Sequence, residues 1–412
     1  MTFDTPSVRR NAKRQLPGSR SLFVRFAFYS GTRGSPWGGS EELWSGAALE
    51  LQTRGHSIGV CYPRFPERAE QLTEIERRGG TVYWRDRRWE RLKTAARKRL
   101  ALRGWSAAGF HGWLDRYAPD LVVITWGRLV DDLSIAHACS ARKIPYAINL
   151  QVANRFQWFD NNHLRSARAA YAAAAACYFV SRENREIVED QIAARLLQAS
   201  IVDNTFGVDP GSSVPWPATD DRWRLACVAR LEFASKGQDL ILRMLRSEKW
   251  RQRPLSVDFY GADRGNADQL NDLIELHGLN ESARLAGFAE DITAVWARHH
   301  ALLLASRQEG NALSMVEAML CERCVITTQV GRSAELINNN KTGFLAAAPT
   351  VELLDEAMER AWNARRQWQK IGKLAAQELR RRYSMNPKGD FADRLETLAV
   401  SSKEKSAVRV AA

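Results

Sequence analysis

Missing from the chain is any run near the ~18 consecutive apolar residues that a membrane-spanning helix needs, so no span is expected. Cysteine is sparse: Cys61, Cys139, Cys177, Cys227, Cys321 and Cys324 are scattered over 412 residues. That excludes a disulfide-framed secreted module and fits a reducing cytoplasm. Cys321 and Cys324 form a CxxC, but no second cysteine pair or suitably spaced histidine pair follows, so no metal is assigned. His299 and His300 are adjacent and point in different directions, and read as packed or exposed residues rather than metal ligands. The first twenty residues are basic but lack an apolar segment, and read as a disordered arm rather than a signal peptide. Acidic residues are the scarcer charge, since 47 Asp plus Glu against 60 Lys plus Arg leave a formal charge of +13. Phosphates, anionic lipid or nucleic acid are the partners such a charge attracts. The basic residues are dispersed, however, and no RRM, KH or helix-turn-helix signature is visible, so no nucleic-acid partner is assigned.

What is present is the material of two or three folded domains, with 45% hydrophobic and 26% charged residues. Short β-rich runs alternate with helical stretches. SLFVRFAFY at 21–29 and SIGVCY at 57–62 flank a helix expected over 41–54, and LVVIT at 121–125 and YAINL at 146–150 flank another over 131–143. CYFVS at 177–181 adds a further strand. Three prolines and two glycines cluster at 201–219, which suits a connection between domains. A second series follows, with strands expected at 224–230, 255–261, 301–306 and 324–328 and helices near 238–246, 267–277 and 313–320. Such alternation gives an α/β fold of two doubly wound parallel sheets. The expected divisions are an arm at 1–20, domains at 21–205 and 206–383, a C-terminal helix at 384–400 and a disordered tail at 401–412.

Three segments carry candidate chemistry. In SRQEGNALSMVEAML, Glu309 follows an apolar strand, where an open α/β sheet binds its ligand, and Glu317 lies in the helix beyond. Gly310 and Asn311 allow close backbone approach, and the helix beginning near Leu313 aims its N-terminal amides at the same spot. In VARLEFASKGQDL, Arg230 ends a strand while Lys236 and Gly237 precede a helix, a combination that would satisfy a diphosphate. The loop GTRGSPWGGSEELW places Gly31, Gly34, Gly38 and Gly39 between the first strand and its helix. It is neither a Rossmann GxGxxG nor a Walker loop. Each pattern alone is equally a surface loop with ordinary polar residues.

Together, in this order, GGSEELW…LQTRGHSIGV, VARLEFASKGQDL, LAGFAEDITAVW and SRQEGNALSMVEAM followed by VITTQVGRSAELINNNKTGFL resemble the family 4 retaining glycosyltransferases of GT-B fold. The resemblance runs from about Ser21 to Tyr383. It implies two Rossmann-like domains facing across a cleft, with donor on the second and acceptor on the first. It also implies transfer of a hexosyl group from a nucleotide diphosphate sugar to a hydroxyl acceptor, with retention and without metal or other cofactor. Glu309 would contact the transferred sugar and Glu317 the nucleotide ribose, while Arg230 and Lys236 would hold the diphosphate. Gly38 and Gly39 would close over the donor, backbone near Phe288 would hold the base, and Gly310, Asn311, Ala312 and Leu313 would present amides. Three positions depart from the family pattern. Gln151 stands where a histidine is common after the strand YAINL, with Asn154 nearby on the acceptor side. Gly310-Asn311-Ala312 replaces Gly-Phe-Gly, and Arg332 follows Gly331 where a second glycine is usual.

The acceptor is left open among polysaccharide, lipid-linked sugar and small glycoside. The stretch 84–105 holds nine Lys or Arg against two acids, with Trp89, Leu92, Ala96 and Leu100 at helical spacing. It reads either as a core-packed helix with a charged face or as a contact with an anionic cytoplasmic membrane surface. Two rival functions keep the same residues: a nucleotide-sugar epimerase of this fold, which needs no acceptor, and a basic membrane- or nucleic-acid-binding protein with a degenerate transferase fold.

Overall fold

The computed structural model describes residues 22–32, 36–85, 108–127, 132–211, 213–218 and 222–411. The first twenty residues fall outside them, and of the basic stretch 84–105 only Trp84 and Arg85 are described.

Two parallel sheets organise the chain. The first comprises β1 (Arg25–Ser30), β2 (Ser57–Pro63), β3 (Thr81–Arg85), β4 (Leu121–Trp126), β5 (Tyr146–Leu150), β6 (Ala176–Phe179) and β7 (Ala199–Ile201), in the order β3-β2-β1-β4-β5-β6-β7. The second comprises β8 (Trp223–Val228), β9 (Leu255–Tyr260), β10 (Ala283–Gly287), β11 (Ala301–Leu304), β12 (Cys324–Thr328) and β13 (Phe344–Ala346), in the order β10-β9-β8-β11-β12-β13. Both orders reverse direction beside the first strand, the arrangement that opens a crevice at the carboxyl edge. Every residue of β4 and β5 is buried, as expected of parallel strands covered on both faces, which explains why LVVITW and YAINL are apolar without alternation. The register Phe26↔Leu121 and Val122↔Tyr146 sets the three central strands side by side.

Helices cover the faces by their apolar spacing. Gly39–Thr53 buries Leu43, Trp44, Ala47, Ala48 and Leu51, one stripe of a 3.6-residue period. The same core includes Phe391, Leu395 and Ala399, four residues apart on the long helix Pro387–Ala411. The ring of Phe391 stands edge-on to Tyr178 at 5.2 Å. Arg54 reaches Asp393 at 2.6 Å and Glu396 at 2.9 Å, and Lys403 Nζ donates to the Phe23 carbonyl at 2.9 Å. This corrects the expectation of a disordered tail from 401: the helix continues to Ala411. Lys403, Glu404 and Lys405 are good helix formers, and polar composition alone did not distinguish a solvated helix from an unfolded end.

Of the two readings for the adjacent histidines, packing holds: both are buried and face apart. His299 Nε2 meets Asp258 at 3.0 Å, while the backbone N–H of Arg224 donates to His300 Nδ1 at 3.0 Å. Cys321 and Cys324 are buried thiols. Among the tryptophans, Trp126 is core, Trp37 donates Nε1–H to Glu42 at 2.6 Å, Trp216 packs on His300, and Trp158 is exposed.

Candidate functional site

Because all strands in each sheet are parallel, each sheet gathers its strand-to-helix turns on one edge. From the second sheet these are the segments after β8, β11 and β12. After β11 comes the loop holding Glu309, and then the helix Leu313–Leu320, whose bounds are those expected from the sequence. Ser306 Oγ donates to Glu309 Oε1 at 2.8 Å, and Lys236 Nζ donates to the same oxygen at 2.6 Å. Ser306 is in turn fixed by Thr328 Oγ1, which donates to its carbonyl at 2.6 Å. Spacing alone did not reveal Ser306, because its role depends on how the loop turns back three residues later.

Lys236 reaches Glu309 because the turn after β8 is pressed onto the end of β11. Gly237 has φ +66°, and a Cβ there would lie 2.0 Å from the Ala305 carbonyl oxygen, so only glycine permits this approach. Arg307 fastens the same turn, donating to Asp239 at 2.7 and 2.8 Å and to the Phe233 carbonyl at 2.6 Å. The two cations do not share a partner: Arg230 is exposed, with its guanidinium 3.5 Å from Glu232.

The first domain closes on this edge. A Cβ on Gly39 would come within 2.8 Å of the Leu313 side chain, so the helix that starts at Gly39 meets the start of Leu313–Leu320. Gly38 precedes it in extended conformation. A Cβ on Gly310 would fall 1.7 Å from the Gln151 carbonyl oxygen, a backbone-to-backbone contact between the two domains that any larger residue forbids. Gln151 itself is buried, its Nε2 donating to Asn149 at 3.3 Å and its Oε1 accepting from Asn204 at 3.0 Å. It therefore sits in a neutral amide network. Asn154, half-buried, caps its own turn by accepting from the Phe156 N–H at 2.9 Å.

The segment after β7 is held by second-domain side chains. Asn311 Nδ2 donates to Tyr383 Oη at 2.8 Å, and that hydroxyl donates to the Asn204 carbonyl at 2.7 Å. Arg332 pairs with Asp203 at 2.5 Å and stacks 5.0 Å from the Tyr383 ring. The sequence departures at Asn311 and Arg332 thus serve the domain junction. Glu317 is buried, and the Gly207 N–H donates to its Oε1 at 2.8 Å. Burial pushes the Glu317 carboxyl above its ordinary value, and the Gly207 bond only partly opposes that. Ala312 precedes the helix in extended conformation, while Phe288 is 70% exposed.

A third acid at this edge, Glu41, is not apparent from motif spacing. Glu41, in the first turn after Gly39, is fully enclosed and accepts from Ser40 Oγ at 2.6 Å and Ser30 Oγ at 3.2 Å. Burial pushes its carboxyl up to about 7 against the opposing hydroxyl bonds. The signal lay in GGSEE, where only one of two consecutive glutamates can face inward on a helix.

Comparison with known proteins bears on the fold. Residues 213–378 match the family described as "Glycosyl transferases group 1". Over 143 residues the chain is 36% identical to the lipopolysaccharide core biosynthesis mannosyltransferase LpcC of Rhizobium leguminosarum bv. viciae, covering 33% of this chain and 40% of that one. Over 158 residues it is 30% identical to the GPI3 subunit of the phosphatidylinositol N-acetylglucosaminyltransferase of Saccharomyces cerevisiae, covering 38% and 34%. The aligned part thus spans well under half of these relatives. Among solved structures, HepE of Anabaena in complex with UDP and glucose superposes over 91% of this chain and 100% of its own with a TM-score of 0.68 at 17% identity. A glycosyltransferase from Rickettsia africae superposes over 92% and 99% with a TM-score of 0.71 at 15% identity. The likeness establishes the two-sheet architecture.

Proposed function

From a chain of GT-B fold whose residues 213–378 match the glycosyl transferases group 1 family, we propose a retaining hexosyltransferase that uses a nucleotide diphosphate sugar and a hydroxyl acceptor. The observation that carries this reading is the 2.6 Å contact between Lys236 and Glu309 at the head of the helix Leu313–Leu320. It provides a fixed cation and a fixed carboxylate beside helix amides, which suits a diphosphate joined to a polyhydroxylated ring. The Anabaena neighbour was solved with UDP and glucose, and LpcC is named a mannosyltransferase, which supports a nucleotide-sugar partner.

In this reading the bond between the anomeric carbon and the diphosphate oxygen breaks, and its electron pair leaves with the diphosphate. Lys236 and Arg230 offset the charge that develops, as preorganised cations do in an enclosed cleft. The acceptor oxygen bonds the anomeric carbon on the same face, and its proton passes to the departing phosphate oxygen. Glu309 holds sugar hydroxyls rather than forming a covalent intermediate. Glu317 takes the ribose through Oε2, while Gly207 uses Oε1. Gly38, Gly39 and the backbone from Gly310 to Leu313 flank the phosphates, and backbone beside Phe288 receives the base. No metal takes part. The setting is the cytoplasm, with 84–105 resting on an anionic leaflet; among the described residues no helix is long and apolar enough to cross a membrane.

The test is a thermal-shift screen of the full chain against UDP, GDP, ADP and their common sugar conjugates, with and without EDTA, repeated on Lys236→Ala. Ligand at a hundred times its dissociation constant stabilises by ~2.7 kcal/mol. A shift from one nucleotide series, indifferent to EDTA and lost in Lys236→Ala, is expected. No shift from any series would sink the donor site, and donor conversion without an acceptor would make the protein an epimerase.

A further inference from the structure

The acceptor side of the cleft has one feature that the donor chemistry does not use. The turn after β5, residues 153–160, exposes Phe156 at 82% and Trp158 at 67%, and both are among the most exposed large apolar side chains described. Two exposed aromatic rings two residues apart on one turn of a folded protein suit a contact site. This turn is not a loose excursion. Its root is tied to both domains: Gln308 Nε2, next to Glu309, donates to the Ala153 carbonyl at 3.0 Å. Glu183 accepts from Arg155 through one oxygen and from the Gly331 N–H through the other. Gln191 Nε2 donates to the Asn154 carbonyl at 2.7 Å, and Asp160 caps the helix Asn161–Ala173 that follows. The rings therefore stand on a braced platform that begins one residue from the candidate catalytic carboxylate.

We propose that Phe156 and Trp158 form the acceptor platform, and that its occupant is a glycan. One face of a pyranose presents C–H bonds that lie on an aromatic face, while its hydroxyls seek amide donors and acceptors. The residues between and beyond the rings suit that pairing: Gln157 and Asn161 are exposed amides. A loop that enters an anionic membrane couples its aromatics to uncompensated cations. Here Arg155, the cation between Ala153 and the rings, is bound to Glu183. The inference rests on the donor reading above for what the glycan receives, but not for how it is held.

The experiment uses the full chain on an immobilised panel of glucosides, galactosides, mannosides and N-acetylglucosaminides, with UDP, GDP or ADP present. Alongside it run flotation with phosphatidylglycerol vesicles and the nucleotide melting shift. Wild type is expected to be retained on part of the glycan panel, with Trp158→Ala and Phe156→Ala each weakening retention about tenfold while the nucleotide shift is unchanged. Lys236→Ala is expected to do the reverse. Retention that ignores both ring variants, absence of retention on any glycan, or ring variants that abolish only vesicle flotation would each overturn the glycan platform. Loss of the nucleotide shift in wild type would remove the donor reading instead, with the ring variants still judging the platform.

Discussion

Around Glu309 the second domain contributes paired ions, whereas around Gln151 the first domain contributes bonded amides. On the second-sheet side, Lys236 bonds Glu309, Arg307 bonds Asp239, and Arg230 lies beside Glu232. On the first-sheet side, Gln151, Asn149 and Asn204 bond one another, and the nearby carboxyl of Glu41 is pushed up to about 7 by burial. The difference follows from what each edge can stabilise. A diphosphate needs fixed charge of opposite sign, whereas a neutral hydroxyl is held by groups that both donate and accept. The first-domain carboxylates at the junction, Asp203 and Glu183, are paired with Arg332 and Arg155.

The largest effect comes from removing the ionic half. Glu309→Ala and Lys236→Ala are each expected to cut sugar transfer ~10²–10³-fold, with melting temperature nearly unchanged, as measured by product formation at saturating donor. Unaltered turnover in both would erase the distinction between the edges. Next is the seam between them. Gly310→Ala sets a methyl against the Gln151 carbonyl, so it should open the cleft, cost ~3 kcal/mol in denaturant unfolding and enlarge the radius in solution scattering. A variant as stable and compact as wild type would mean the backbones do not meet there.

Two pH measurements sharpen the contrast because their signs oppose. The Glu41 carboxyl is raised in the fold from 4.5 to about 7, so the folded state holds a proton that the unfolded chain releases. Its favourable contribution is complete below pH 4.5 and disappears as pH rises through 7, a fall of about 3 kcal/mol that Glu41→Gln should flatten. Asp258 behaves the other way. Burial would raise it, but the bonds from His299 and Arg284 prevail and hold it at about 2. Its contribution is present above the unfolded value of 3.8 and is lost as pH falls toward 2. Since Arg284 is 70% exposed, the effect of Asp258→Asn is the smallest, ~1 kcal/mol at neutral pH. Melting curves across pH check both, and parallel curves for wild type and Glu41→Gln would refute the enclosed proton.

The strands were legible because fully buried parallel strands are short apolar runs bounded by turn residues, and CVITT and YAINL are strands over those same residues. The helix Leu313–Leu320 was legible from Met315, Val316, Met319 and Leu320 falling on its buried face. Lys236 and Glu309 were individually visible, but their contact depends on Gly237 passing under Ala305, a meeting of segments about seventy residues apart. Glu183, which joins Arg155 to Gly331, carries no local mark at all, because a helix-start glutamate looks the same whether it faces solvent or a second domain.

The helix Pro387–Ala411 completes the core of the domain that is synthesised first. A nascent chain emerging from the ribosome therefore carries Leu43, Trp44 and Tyr178 without Phe391 and Leu395 to cover them until the whole second domain has been translated. During that interval the first half is a sheet with one apolar flank uncovered, a natural client for chaperones. Premature termination anywhere before residue 387 would leave it so permanently.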